Sequence, residues 1–107
     1  MALARIRMPE RARRGELVEV QLLIRHPMET GFRRDANGER VPRNAIHSFA
    51  CSYNGSEVFR ATLSTGIAAN PMLRFFFVAA ETGEVRFWWL DDDEVEGTAK
   101  ARLQVSA

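Results

Sequence analysis

Short segments in which apolar and polar residues alternate constrain the fold of this 107-residue chain more than any other feature. In residues 16–25, Val18, Val20 and Leu22 lie on one face of an extended chain and polar residues lie on the other. This period of two predicts a strand with one buried face. No segment predicts a helix of convincing length, so we expect one domain, residues 1–107, with an all-β, immunoglobulin-like antiparallel β-sandwich of about seven strands. The other six predicted strands are residues 4–8, 45–53, 57–63, 72–79, 84–90 and 96–105.

The pair Asn54-Gly55 predicts a tight hairpin between the strands at 45–53 and 57–63, because both residues tolerate a positive φ. A strict two-residue turn would place Cys51 opposite Val58. A three-residue loop that includes Ser56 would place Cys51 opposite Phe59 and keep one face of the hairpin apolar. We favour the second register, since a slip of one residue moves every side chain to the other face.

A second hairpin is predicted around Thr82-Gly83, between residues 72–79 and 84–90, and it has more apolar side chains than one core needs. A solvated sheet requires only one apolar face, and an exposed apolar patch of several hundred Å² indicates a partner surface. One set of alternate residues is expected to fill the core: Phe75, Phe77, Phe87 and Trp89. The other set is predicted to form a partner interface: Phe76, Val78, Trp88 and Leu90.

Residues 24–44 form the longest connection between predicted strands. A connection longer than ~12–15 residues without secondary structure is uncommon in a compact domain and indicates function or disorder. Two prolines stiffen this one, and we expect three apolar residues to anchor it as an ordered, exposed loop: Met28, Phe32 and Val41. Its five arginines outnumber its three acidic residues, and arginine is suited to recognition of carboxylates. Arg33 and Arg34 are therefore predicted to lie in a partner interface, and the alternative is a merely solvated loop.

The residues that could carry metal or thiol chemistry are few. A copper site needs histidine, cysteine and methionine ligands, but His47 and Cys51 are four residues apart on one strand, or about 13 Å at ~3.3 Å per residue. One ion cannot bind both at bond lengths near 2 Å, so we expect neither a metal nor another cofactor.

Spacing leaves open a nucleophilic Cys51 assisted by His26 or His47, yet nothing activates the thiol, and Cys51 is predicted to be a small buried hydrophobe. Residues 91–93, three aspartates, lack the glycine of a calcium loop and are expected to be a solvated strand end.

Charge and hydropathy argue against nucleic-acid binding, a membrane span and a secretory signal. The formal net charge of +1 is too small for the continuous basic face that nucleic acid requires. No apolar stretch of 18 residues is present to span a membrane. The first sixteen residues contain no apolar run of 7–15 residues, so a secretory signal is not predicted, and this alone would place the protein in the cytoplasm.

Five short strings between residues 24 and 93 match a known family, and the resemblance covers nearly the whole chain. They are IRHPMETGFRRD at 24–35, PRN at 42–44, YNG at 53–55 followed by EVFRA, ANP at 69–71, and WLDDD at 89–93. They resemble the SoxZ family, the small subunits of the SoxYZ carrier complex in thiosulfate oxidation. The family's fold is an immunoglobulin-like sandwich, in agreement with the strand pattern.

The resemblance implies a non-catalytic subunit that pairs with SoxY as a heterodimer. In this family SoxY carries sulfur intermediates on the cysteine of a C-terminal Gly-Gly-Cys-Gly-Gly arm and visits the other Sox enzymes. This chain ends at residues 101–107 without such an arm, so Cys51 is not expected to carry sulfur. The resemblance also implies a periplasmic protein exported together with SoxY. The alternative is a small thiol- or metal-dependent redox protein on a β-sandwich.

The same resemblance supplies a partner for the surplus apolar residues. We expect SoxY to cover the sheet that contains the predicted hairpin at 72–90. In the absence of SoxY, the same patch is expected to make isolated chains form homodimers.

Overall fold

The computed structural model describes residues 4–63 and 69–107, and these residues form strands and connections with no helix. None of them therefore forms a helix that could cross a membrane. Eight strands follow one another along the chain: β1 (Ala4–Arg7), β2 (Arg11–Arg13), β3 (Leu17–Ile24), β4 (Ile46–Tyr53), β5 (Ser56–Thr62), β6 (Met72–Val78), β7 (Gly83–Asp91) and β8 (Glu96–Ser106).

The strands form two sheets, one of three strands in the order β1-β3-β6 and one of five in the order β2-β8-β7-β4-β5. Every pairing is antiparallel except that of β2 with β8, which is parallel. The predicted β-sandwich is thus confirmed, with one strand more than expected. The additional strand is β2, which the sequence pattern missed because it has three residues and buries only Ala12.

Aromatic side chains from both sheets pack against one another in the core. The ring of Phe75 on β6 stacks on Phe59 of β5 at 4.4 Å between centroids and lies 6.0 Å from Phe49 of β4. Tyr53 and Phe77 make a tilted contact at 4.8 Å between centroids. Offset or tilted pairs at these distances are favourable beyond the area that they bury. The alternate residues predicted to fill the core do so, because all four are buried: Phe75, Phe77, Phe87 and Trp89.

The first hairpin has the predicted strand register but a different turn. Cys51 lies opposite Phe59, as expected, yet Asn54 and Gly55 form a two-residue turn in which both φ angles are positive. A β-bulge after Cys51 reconciles the two, since Val58 is an extra residue on β5. The predicted three-residue loop through Ser56 is wrong, because a bulge absorbs one residue inside the strand as effectively as a longer turn does.

The second predicted hairpin is wrong. β6 pairs with β3 in the three-stranded sheet, whereas β7 lies between β4 and β8 in the other sheet. The connection between them crosses the sandwich and is held by the Tyr53 hydroxyl, which accepts the Ala80 and Glu81 N–H groups at 3.1 and 2.9 Å. Turn residues such as Thr82-Gly83 shorten a connection equally well within a sheet or between sheets, so the sequence did not distinguish them.

Candidate interaction surfaces

The outer surface of the three-stranded sheet, which we call the three-stranded face, exposes large apolar side chains. Because side chains alternate along a strand, the residues of β3 and β6 that do not enter the core point to solvent here. Val78 lies opposite Leu17 at one end of this face, and Met72 lies opposite Leu23 at the other. Exposure is 55% for Val78, 61% for Met72 and 48% for Phe76, which neighbours Val78 along β6.

A polar band crosses the middle of the three-stranded face. Arg74 of β6 donates through Nε to Glu19 of β3 at 2.9 Å, and Gln21 donates to the same carboxylate at 2.9 Å. The hydrogen bond from Arg74 is the main reason that the pKa of Glu19 is lowered from its ordinary value. The Arg74 guanidinium also lies 5.4 Å from the centre of the Phe76 ring. On β3 and β6 the face therefore offers two apolar ends separated by one neutralised ion pair, and the exposed Arg5 and Arg7 of β1 lie along its other margin.

The outer surface of the five-stranded sheet, the five-stranded face, has a different character. Trp88 of β7 is half-buried there between two small neighbours, Ala50 on β4 and Thr98 on β8. Beside it lies an open groove of about 620 Å³ with charged walls that include Glu57, Arg86 and Lys100. Leu90 lies further along β7 on the same face and is also half-buried.

The four residues predicted to form one apolar interface are thus divided between opposite faces of the sandwich. Phe76 and Val78 lie on the three-stranded face, and Trp88 and Leu90 lie on the five-stranded face. All four do point away from the core, as the alternation indicated. A single patch from all four is excluded by the sheet topology, and contact of either pair with a partner stays a prediction.

The base of the long connection between β3 and β4 is fixed to the sandwich. His26 accepts the Met28 N–H through Nδ1 at 3.0 Å, so its proton is on Nε2, which donates to Asp91 at 3.0 Å. Asp91 is buried and also accepts the N–H groups of residues 93 and 95. Met28 is buried, and its sulfur accepts the Ile46 N–H. The expected anchoring by Met28 is confirmed.

Two of the three aspartates at the end of β7 are structural rather than solvated. Asp91 holds His26, and Asp92 accepts both the Arg43 guanidinium at 2.9 Å and the Ala45 N–H at 3.1 Å. The expectation of a solvated strand end is therefore wrong for these two. Sequence reasoning considered His26 and Asp91 separately and missed their contact, since 65 residues separate them.

The outer half of the same connection forms a narrow ribbon that projects from the sandwich. Isolated β-bridges join Glu29 to Asn44 and Arg34 to Arg40, and the Asp35 carboxylate accepts two backbone N–H groups at the tip. Phe32 was expected to anchor the ribbon, but it is 78% exposed, with the Arg40 guanidinium 5.9 Å from its ring centre. The ribbon is held by backbone and carboxylate contacts instead.

The arginines of the ribbon are less available than their number indicates. Arg33 pairs with Glu29 at 2.7 Å, and Arg43 pairs with Asp92. Arg34 donates to the Gly38 carbonyl at 2.9 Å but has no carboxylate within ion-pair distance among the described residues. A partner carboxylate would thus compete with Glu29 for Arg33, whereas it could pair with Arg34 without displacing a carboxylate of the described residues.

The only cysteine, Cys51, points into the core with 1% of its surface exposed. Burial raises the pKa of its thiol to about 12. A thiol in that state is neutral at ordinary pH and is a poor nucleophile or metal ligand. Among residues 4–63 and 69–107, no three His, Cys, Asp or Glu side chains converge in a way that could hold a metal ion.

Comparison with known proteins gives one family. The family model described as "Sulphur oxidation protein SoxZ" matches residues 6–102. No curated protein matches the chain in sequence.

Solved structures show the same fold at low sequence identity. The sulfur carrier protein SoxY from Chlorobium limicola f thiosulfatophilum has a TM-score of 0.67 and 15% identity, and the match covers 100% of this chain and 82% of SoxY. The superoxide reductase (neelaredoxin) from Ignicoccus hospitalis has a TM-score of 0.72 and 15% identity, over 98% of this chain and 81% of that one. A variant superoxide reductase (neelaredoxin) from Archaeoglobus fulgidus, in the reduced form, has a TM-score of 0.64 and 18% identity, over 95% of this chain and 87% of that one. At these identities the likeness concerns the fold alone.

Proposed function

This chain belongs to the SoxZ family of sulphur oxidation proteins, and from that premise we propose that it is the non-catalytic subunit that binds and scaffolds SoxY during thiosulfate oxidation. The family match over residues 6–102 is the observation that carries the proposal. SoxY bears the sulfur on its own cysteine arm. This subunit binds SoxY, and the resulting complex is what the other Sox enzymes bind.

The three-stranded face supports a binding role and is the surface that we assign to SoxY. A standard interface buries about 800 Å² on each partner, and one aromatic side chain supplies roughly 150–250 Å². Phe76, Val78 and Leu17 together form an apolar end of this face that water covers in the isolated chain. The nearby Glu19–Arg74 pair is already satisfied, so a partner can cover it without leaving an unpaired charge.

The buried thiol supports the non-catalytic part of the proposal. A sulfur carrier or thiol redox enzyme needs a cysteine that substrate can reach and that ionises near neutral pH. Cys51 meets neither condition, because it is enclosed by the core and its pKa is raised to about 12. The alternative of a thiol- or metal-dependent redox protein therefore has less support in the geometry than a binding subunit has.

Two further parts of the proposal come from the family rather than from the geometry. We assign the protein to the periplasm, where it arrives by export in complex with SoxY. Contacts with the other Sox enzymes are transient and occur through the carrier complex. Fractionation of cells that express the chain with and without SoxY tests the first part, because the chain should reach the periplasm only with SoxY.

Binding and reconstitution test the function itself. The purified chain mixed with SoxY should give a complex with the mass of one copy of each, measured by light scattering after size exclusion. Thiosulfate oxidation by the remaining Sox enzymes should require both subunits and should be unchanged by Cys51→Ser. Failure to bind SoxY, or a large loss of turnover in a Cys51→Ser complex that is still intact, would contradict the proposal.

A further inference from the structure

The free edge of β6 is unlike the other edges of the sandwich. Among residues 4–63 and 69–107, no strand pairs with the side of β6 opposite β3. Proteins protect exposed edges with short strands, charges or bulges, since an open edge invites pairing with another chain. β1 has four residues and β2 has three, each with two arginines, and β5 is paired through a bulge and contains Glu57 and Arg60. β6 has seven residues, no bulge in its pairing with β3, and Arg74 as its only charge.

The register shows which backbone groups are open on that edge. Ile24 donates to the Pro71 carbonyl at 3.0 Å, and Ala79 donates to the Glu16 carbonyl at 2.8 Å, so both flanks of β6 make hydrogen-bonded pairs with β3. Hydrogen-bonded and non-hydrogen-bonded pairs alternate in an antiparallel ladder. The odd-numbered residues of β6 therefore bond to β3. The even-numbered ones direct their N–H and C=O groups to the free edge: Met72, Arg74, Phe76 and Val78.

These four residues are complementary to themselves. If two copies of β6 pair antiparallel about a two-fold axis at Phe75, residue 72 meets residue 78 of the other copy, and residue 74 meets residue 76. Both are hydrogen-bonded pairs in this register, because the even-numbered groups are the open ones. On the outer surface, Met72 then contacts Val78 across the axis, and Arg74 contacts the Phe76 ring. Each contact occurs twice, as two-fold symmetry requires.

We propose that a second copy of this chain occupies the β6 edge when SoxY is absent, and that the two three-stranded sheets join into one six-stranded sheet through an antiparallel β6–β6 ladder centred on Phe75. The main-chain bonds give the contact its direction, and the paired apolar side chains fix its register. Because β6 is also part of the face assigned to SoxY, the two occupants compete for it.

Disulfide trapping tests the register. Opposed residues in a hydrogen-bonded antiparallel pair have Cα atoms about 5.5 Å apart, which a disulfide can bridge. A chain carrying Met72→Cys mixed with a chain carrying Val78→Cys should give a covalent dimer under mild oxidation. Either variant alone should stay uncrosslinked, because in this register two copies of the same position are separated by six residues, or ~20 Å. The unchanged chain is the control, since its Cys51 is buried. No dimer in the mixture, or equal crosslinking of one variant alone, would overturn the proposal.

A proline substitution tests the free edge without touching the ladder to β3. The Arg74 N–H points to the open edge, so Arg74→Pro removes no hydrogen bond to β3 but removes two from the dimer, one from each copy. Sedimentation of the isolated chain should show a dimer for the unchanged protein and for Arg74→Ala, and a dissociation constant raised at least tenfold for Arg74→Pro. An unchanged chain that is monomeric at 100 μM would overturn the proposal.

Different results would contradict the β6 dimer and the proposed function. A chain that dimerises through β6 yet never binds SoxY would support the inference and contradict the function. A monomeric chain that binds SoxY would support the function and overturn the inference.

Discussion

At the scale of single residues, Cys51 makes the clearest connection between position and chemistry. Its side chain lies in the core beside Phe59, its partner across the β4–β5 pair. The sequence predicted a small buried hydrophobe from a lone cysteine on the apolar side of a strand, and burial confirms that reading. No local pattern could have given the size of the pKa shift, because desolvation depends on strands that are distant in sequence.

The Cys51 thiol gives a pH-dependent prediction. In the folded chain its pKa is raised from an ordinary value of 9.0 to about 12. The unfolded thiol therefore ionises first as the pH rises, and its ionisation favours unfolding between about pH 9 and about pH 12. The free energy of unfolding should fall more steeply over that window than in Cys51→Ala, measured by urea denaturation. Below pH 9 the two curves should run parallel, and parallel curves throughout would show that Cys51 is not desolvated.

Gly97 gives a second prediction at this scale. A Cβ atom built there would lie 2.1 Å from the Trp89 indole, so the glycine leaves the space that the ring fills. Gly97→Ala should move Trp89 and cost about 1–3 kcal/mol, as overpacking of a core usually does. Thermal unfolding and the near-ultraviolet spectrum measure the two effects. Gly38→Ala is a control for added bulk alone, because a Cβ atom at Gly38 meets nothing within 4 Å, although its positive φ adds some strain.

At the scale of elements, strand positions were predictable and strand partners were not. Alternation is a local property, so seven strands could be placed, and the parity of their side chains was correct. Pairing depends on where a connection leads, and the Thr82-Gly83 turn predicted a hairpin where the chain crosses to the other sheet. That error placed Phe76 and Trp88 on one face, when they lie on opposite faces.

The ribbon between β3 and β4 was predicted as an ordered loop, and its order has physical causes that spacing could not reveal. The contacts of His26 and Arg43 with Asp91 and Asp92 join its two ends to the far end of β7. The bond to Asp91 and the Met28 N–H that Nδ1 accepts together fix the ring of His26. The role of the ribbon in recognition remains a prediction.

The salt dependence of association tests that role. If the ribbon meets an acidic surface, Arg33→Ser with Arg34→Ser should slow association with SoxY or with a visiting Sox enzyme by a few-fold at low salt. The effect should disappear at high ionic strength, where exposed charges are screened. Stopped-flow mixing measures the rate, and Arg11→Ser with Arg13→Ser on β2, an edge strand of the five-stranded sheet, is a control of equal charge. Equal rates for both double variants at low salt would remove the ribbon from recognition.

Loss of the Glu29–Arg33 pair should have little effect on stability. The Arg33 side chain is 60% exposed, although only 17% of the Glu29 side chain is, and largely exposed ion pairs contribute about 0–1 kcal/mol. The double variant should therefore keep its unfolding temperature, and any change in binding rate can be assigned to the surface charge.

At the scale of the whole molecule, the two outer faces of the sandwich differ in the side chains that they expose. The three-stranded face is apolar at both ends and continues into an open strand edge, whereas the five-stranded face has a half-buried tryptophan and a groove with charged walls. The proposed function assigns SoxY to the first of these. The sandwich fold and the family could both be predicted from the sequence. The assignment of SoxY to one outer face also required the strand order of the two sheets.

One measurement tests that assignment most directly: co-purification of SoxY with two matched variants, Phe76→Arg and Trp88→Arg. Each replaces an aromatic side chain on an outer face with a charged one, so each chain should stay folded with an unchanged far-ultraviolet spectrum. Trp88→Arg is expected to retain SoxY in a complex of one copy each, whereas Phe76→Arg is expected to lose it. Retention of SoxY by Phe76→Arg together with its loss from Trp88→Arg would show that SoxY binds the five-stranded face instead.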